Sequence, residues 1–303
     1  MTKPDAPHDT LGLILDEIRL SGASLNDVEL APGTDHVFDT LDRVTIYIGQ
    51  HLTIRIEPAN HAAQDIGPGD LMVVTTGGRH RLSTGTERAR QTGIADPARV
   101  TCGAFRYDTE FAAPLIASLP PIMRFCGSGP DAPPWLVTGL AFLEQERSVR
   151  QPAAQAVINR VLDILMIECL RAEIERIPAD VGNWLAALRD RQLSEVLAAI
   201  HADPLHAWTV GELADIARLS RSAFATRFTQ TLATPPMAYL SALRLRMAMR
   251  QLQHSSAPVK SIAAALGYES PVGFTQAFKK HFGIPPSAVR TDAAAALRKA
   301  QIM

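Results

Sequence analysis

Apolar positions change their period along this chain, and the changes mark its elements. Leu11, Ile14, Leu15 and Ile18 recur at helical spacing behind Asp9 or Thr10, either of which can cap, and predict a helix over residues 9–20. Beyond Ser21 short β-rich runs take over. Residues 44–48 (VTIYI) and 52–56 (LTIRI) read as strands around Gly49-Gln50-His51. A turn at 66–70 feeds a strand at 71–74, a second turn containing Gly77-Gly78 leads into 80–82, and another strand covers 99–107. Short strands with regular turns predict a sandwich or barrel. Residues 108–134 hold Pro114, Pro120, Pro121, Gly127, Gly129, Pro130, Pro133 and Pro134 and read as an irregular connection. Broad apolar stripes then predict helices over 135–148 and 153–177. Pro178 and Gly182 open a link near residues 178–190.

The C-terminal part repeats itself. Ser220, Phe224, Phe228, Leu232, Pro235 and Pro236 recur fifty residues later as Ser270, Phe274, Phe278, Phe282, Pro285 and Pro286. Upstream, one residue out of step, Val210, Leu213 and Ala214 correspond to Val259, Ile262 and Ala263. Each copy reads as two short helices joined by a tight turn, the second turn being one residue longer. Thr209 and Glu212 form a capping box, and Val210, Leu213, Ala214 and Ala217 make one apolar face. Ser220 caps the next helix, where Phe224 and Phe228 at i, i+4 face inward. Ser270 caps its counterpart with Pro271 at the first helical position, and Gly267 relaxes the turn before it.

Phenylalanines buried on one face leave the opposite face to solvent or ligand. That face presents Arg221, Ser222, Ala225, Thr226 and Thr229 in the first copy, and Val272, Thr275, Gln276, Lys279 and Lys280 in the second. Small polar residues flanked by cations suit a helix in a DNA major groove, where hydroxyls, amides and methyls read bases and cations hold phosphates. Residues 236–254, with Met237, Leu240, Leu243, Met247 and Leu252, predict a connecting helix. A helix of that length is about 28 Å long, enough to set two reading helices about one DNA turn apart.

Charge agrees with this division. The net charge of −1 hides 13 Lys/Arg against 6 Asp/Glu in residues 191–303, and 17 against 25 in residues 1–190. A basic half is expected of a partner of phosphates. Of the 303 residues, 47% are hydrophobic and 20% charged, which excludes a disordered chain and suffices for two cores. The most apolar stretch, residues 157–170, is interrupted by Asn159, Arg160, Asp163 and Glu168, so no membrane span is expected. Residues 1–7 lack the apolar core of a signal peptide. Cys102, Cys126 and Cys169 are too few for a disulfide framework, so a cytoplasmic protein is expected.

Residues 193–290 resemble the AraC/XylS family of transcription regulators. The resemblance is carried by the runs at 208–214 (WTVGELA), 219–224 (LSRSAF), 235–240 (PPMAYL), 243–248 (LRLRMA), 266–270 (LGYES), 274–280 (FTQAFKK) and 282–286 (FGIPP). It implies base contacts from the second helix of each pair, at Ser222, Ala225, Thr226, Val272, Thr275 and Gln276. It also implies phosphate contacts at Arg221, Ser270, Lys279 and Lys280. The segment from Pro68 through His80 resembles a cupin strand pair, and the wider acidic half is similar to the cupin-type sensor of such regulators. Cys102-Gly103 with Ser118-Leu119-Pro120-Pro121 is similar to the subgroup that includes a reactive-chlorine-sensing regulator.

The expected architecture is α+β and multidomain. A cupin-like β-barrel followed by helices and a linker occupies residues 1–190, and an all-α domain with two helix-turn-helix units occupies 191–303. The expected function is a sequence-specific DNA-binding transcription regulator acting on double-stranded DNA. The helices after the barrel imply a homodimer, and no cofactor is expected. Three readings of the sensor stay open: a small-molecule effector inside the barrel, oxidation of Cys102, and a metal at His80. The alternative function, a metal-dependent cupin enzyme with an appended helical domain, needs a His-x-His that this chain lacks, since His51 and His61 stand alone.

Overall fold

The computed structural model describes residues 9–18, 25–31, 33–39, 43–75, 79–84, 97–107, 109–149, 151–178 and 183–289. Gly77-Gly78, Gly182 and residues 1–7, each given a role above, lie outside the described residues. Two compact units result, Leu15–Pro178, and Ala179–Met303 with the chain start up to Ile14.

The first unit is built on nine described strands: β1 (Leu25–Leu30), β2 (Asp35–Asp39), β3 (Arg43–Gly49), β4 (Ile54–Pro58), β5 (Gln64–Ile66), β6 (Leu71–Val74), β7 (Arg79–Thr84), β8 (Ala98–Arg106) and β9 (Ile122–Phe125). They form two antiparallel sheets, ordered β1-β8-β3-β6-β9 and β2-β7-β4-β5. The five-stranded sheet is buried on both sides. Val44, Ile46, Ile48, Leu71, Val73, Met123 and Phe125 pack against α3 (Pro134–Val149) and α4 (Ala154–Arg176), through Leu136, Leu143, Leu162 and Leu165. Tyr47, Met72, Val74, Val100 and Cys102 face the other sheet and meet Ile54, Ile56, Ile66 and Leu82. Burial on both faces explains why residues 44–48 read as a nearly continuous apolar run.

Several expectations are corrected. The two runs around Gly49-Gln50-His51 are both strands, but they enter different sheets, and the second starts at Ile54 with Leu52 exposed. β6 and β7, the expected strand pair, likewise belong to different sheets. Residues 108–134 are not all irregular: Thr109–Ser118 is a helix, α2, and β9 completes the larger sheet. Pro114 inside α2 removes one amide donor, and the Ser118 hydroxyl donates to the Pro114 carbonyl at 2.8 Å. β1, β2 and β5 escaped notice because polar edge strands such as Asp35–Asp39 carry little apolar alternation.

The second unit is helical. It holds the first turn of α1 (Thr10–Ile18), α5 (Trp184–Arg189), α6 (Arg191–Ala202), α7 (Val210–Ile216), α8 (Arg221–Leu232), α9 (Pro236–His254), α10 (Val259–Ala265) and α11 (Pro271–Phe282). The chain start belongs with it because the Thr10 hydroxyl donates to the Ser194 carbonyl on α6 at 3.1 Å. α5 stands where a link was expected, with Trp184, Leu185 and Ala187 buried and the Asn183 side chain capping it. Of the apolar positions read on α9, Met237 is 39% exposed, whereas Leu240, Leu243 and Leu252 are buried. No helix among the described residues is long and apolar enough to cross a membrane.

Candidate nucleic-acid interface

Two helix pairs, α7–α8 and α10–α11, carry the candidate surface, and local chemistry defines both. At α7 the Thr209 hydroxyl accepts from the Glu212 amide at 3.2 Å while Glu212 accepts from the Thr209 amide at 2.8 Å. That backbone N–H, more than the Thr209 hydroxyl, holds the Glu212 carboxyl below the usual carboxylate range. Both turns close alike. Arg218 and Gly267 take left-handed conformations at φ 55° and 80°. The next amide, of Leu219 or Tyr268, reaches back five residues to Ala214 or Ala263 at 3.0 Å. Ser220 and Ser270 then accept from the amides of Ala223 and Gly273 at 3.2 and 3.0 Å.

The paired phenylalanines set which faces turn outward. Phe224 and Phe228 are fully buried with ring centroids 5.5 Å apart, and Phe228 also meets Tyr239 of α9. Phe274 and Phe278 repeat this at 5.6 Å, in a core with Leu245, Met249, Leu252 and Ile262. On the opposite face of α8, Ser222 and Thr226 are exposed and Ala225 is half-buried. Arg221, expected on that face, is exposed but stands two turns before Phe228 on the same side of the helix, beside Gly211 of α7. On α11, Val272 is 67% exposed, Gln276, Lys279 and Lys280 are exposed, and Thr275 is half-buried. Thr275 donates its hydroxyl to the Pro271 carbonyl at 2.8 Å. Ser270 is exposed, with its hydroxyl already accepting from Gly273.

Other cations, which the sequence did not single out, hold the frame. Arg227 of α8 pairs with Asp190, the cap of α6, at 2.6 Å, and donates to Gln192 at 2.9 Å. Gln192 in turn donates to the Ala217 carbonyl at the end of α7. Arg244 of α9 donates to the carbonyls of Pro204 and His206 at 2.8 and 2.7 Å, anchoring the segment before α7. The Arg221 side chain lies across Gly211 of α7, where a Cβ would stand 3.0 Å from its Nε. No periodicity announces the Arg227 and Arg244 contacts, because their partners lie 35 to 40 residues away in the chain.

In the sensor half, His80 is buried and its Nε2 is hydrogen-bonded to the Tyr47 hydroxyl. Phe38 stacks on the imidazole with centroids 5.5 Å apart and planes 11° from parallel. Burial, with a smaller contribution from Cys102, drives the Tyr47 phenol far above its ordinary range, so it keeps its proton. A single interior histidine already bonded to a protonated phenol does not fit a divalent metal. His51 and His61 are both exposed, and no described trio of His, Cys, Asp or Glu is arranged to hold one. Burial and then Asp27 push the Cys102 thiol up to about 11, which disfavours the reactive thiolate. Cys126 is exposed.

Comparison with known proteins agrees with both halves. Residues 9–175 match the cupin family and residues 213–292 match a helix-turn-helix domain family. An AraC-like transcription regulator of Streptomyces lividans is 35% identical over 212 residues, covering 69% of this chain and 68% of that one. The regulator AlkR of Acinetobacter baylyi is 39% identical over 187 residues, or 60% of each chain. The RCS-specific transcriptional activator RclR of Escherichia coli is 29% identical over 224 residues, covering 74% of this chain and 75% of that one. With a cupin domain ahead of two capped helix pairs, the chain belongs to the AraC-like family of DNA-binding transcription regulators.

Proposed function

We propose that this regulator grips double-stranded DNA with α8 and α11 in successive major-groove segments, its sensor region within residues 1–190 and its DNA-binding region within 191–303. Ser222, Ala225, Thr226, Val272, Thr275 and Gln276 face the bases. Arg221, Lys279 and Lys280 meet phosphates, with the hydroxyl of Ser270 beside the backbone. The observation that carries this reading is the doubled arrangement of a serine-capped helix with two buried phenylalanines on one side and exposed polar residues on the other. α9, at 19 residues, supplies about 28 Å of separation.

The sensor takes a small, largely apolar molecule between its two sheets. The apolar side chains that meet between the sheets favour such a ligand over thiol chemistry, since Cys102 is buried and its thiol is pushed up to about 11. A ligand acts only through different affinities for two states of the protein. The protein works in the cytoplasm, where its DNA is, as a homodimer. Val137, Phe142 and Ile164, exposed on α3 and α4, support pairing through those helices.

Salt-dependent DNA binding tests the docking. Each lost phosphate contact lowers the steepness of log K against log salt by about 0.9. A Lys279→Ala, Lys280→Ala double variant should therefore lose about 1.8 from the slope, and Arg221→Ala about 0.9. Unchanged slopes in both would place the DNA elsewhere.

A further inference from the structure

The two reading helices are not chemically equivalent. Pro271, Val272 and Gly273 are all exposed and carry no polar side-chain atom, so α11 begins with an apolar tip. Val272 is the most exposed large apolar side chain among the described residues. Exposure of that kind at the start of a groove-reading helix calls for an apolar complement. The major groove offers one such group, the C5-methyl of thymine. One turn further along the same face stands Gln276, exposed, whose amide can donate to N7 and accept from N6–H of adenine together. Thr275 between them has committed its proton to the Pro271 carbonyl, leaving a methyl group and acceptor lone pairs. The cations Lys279 and Lys280 come only in the last turn, away from the end that enters the groove first. The early face of α11 therefore holds no Arg or Lys to read guanine. On α8 the corresponding groups are shorter: Ser222, whose hydroxyl lies 3.3 Å from that of Ser220, Ala225 and Thr226.

We propose that α11 is the discriminating helix and reads an A·T-rich half-site, with a thymine methyl under Val272 and an adenine on Gln276. Four residues of helix advance about 6 Å, so the two bases stand roughly two steps of 3.4 Å apart. α8 contributes docking and weaker selection. This inference rests on the DNA-binding reading above and adds to it the bases and the residues that choose them.

The test uses the full-length protein. Sequences are selected from a random duplex pool with wild type, Val272→Ala and Gln276→Ala, and the half-site that loses definition in the variants is assigned to α11. All three proteins keep the same fold-sensitive circular dichroism, because both side chains are exposed. Within that half-site, replacing the thymine by deoxyuridine removes only the methyl. It should weaken wild type about four-fold and leave Val272→Ala unchanged. Replacing the adenine by guanine should weaken wild type by about five-fold or more and leave Gln276→Ala nearly indifferent. Enrichment of G·C at these positions would overturn the proposal, as would equal deoxyuridine losses in wild type and Val272→Ala. Those results leave the DNA-binding reading standing. Absence of any salt-dependent DNA binding by wild type would overturn both.

Discussion

Ala233 and Gly283 close equivalent helices in equivalent ways, and exchanging them provides an internally controlled experiment. Ala233 ends α8 at φ 54° and ψ 18°, and Gly283 ends α11 at φ 76° and ψ −15°. In this left-handed region an L-residue carries a penalty of about 1–2 kcal/mol that glycine escapes. Glycine loses more chain entropy on folding, which returns about 0.4–1 kcal/mol. The difference predicts that Ala233→Gly stabilises by about 0.5–1 kcal/mol and Gly283→Ala destabilises by a similar amount. Sterics do not intrude at the second site, since a Cβ on Gly283 would meet nothing within 4 Å. Urea unfolding can be followed by fluorescence of Trp184 and Trp208, with Trp135 replaced by Phe. At slopes of about 1–3 kcal/mol per molar, the midpoints should move in opposite directions by a few tenths of a molar. A double variant should fall near wild type. Shifts in the same direction, or a neutral Gly283→Ala, would refute the argument that backbone handedness sets these caps.

Three further outcomes follow from the sensor unit. Burial raises the Asp163 carboxyl on α4 against the opposing pull of Arg160, and burial raises Glu173 likewise. The folded state then holds protons that the unfolded state has released. Their contribution to stability is full below the ordinary carboxylate range and is lost as pH rises through the raised values. Asp163→Asn should therefore gain thermal stability relative to wild type as pH rises above the ordinary carboxylate range; a difference between the two proteins that does not change with pH would contradict it. Gly49→Ala should unfold the sensor at a cost above about 3 kcal/mol, because its Cβ would stand 1.9 Å from the Gly67 carbonyl oxygen. A well-folded Gly49→Ala protein by circular dichroism would show that this backbone crossing can relax. Maleimide labelling at neutral pH, mapped by mass spectrometry, should mark exposed Cys126 well before Cys102, whose thiol is pushed up to about 11. Faster labelling of Cys102 would restore it as the reactive thiol.

By itself the sequence determined the C-terminal units in detail. The caps at Thr209, Ser220 and Ser270, the inward phenylalanine pairs and the glycine turn at 267 are all visible within a few residues of one another. Helix signals of this kind need only neighbours in the chain, so reading them requires no knowledge of the fold. The long helices α3 and α4 were legible for the same reason. Tertiary structure alone decided which sheet each strand joins. A strand's apolar pattern records that its faces are covered, but leaves open which partner covers them, so β3 and β4 could not be separated by inspection. Structure alone also paired Arg227 with a carboxylate 37 residues upstream, and set Arg244 on carbonyls 40 and 38 residues away. It likewise brought Tyr47 onto His80 across 33 residues. Every exposed cation looks alike in a sequence. Only packing brings an acceptor within hydrogen-bond reach of some and leaves Lys279 and Lys280 facing solvent.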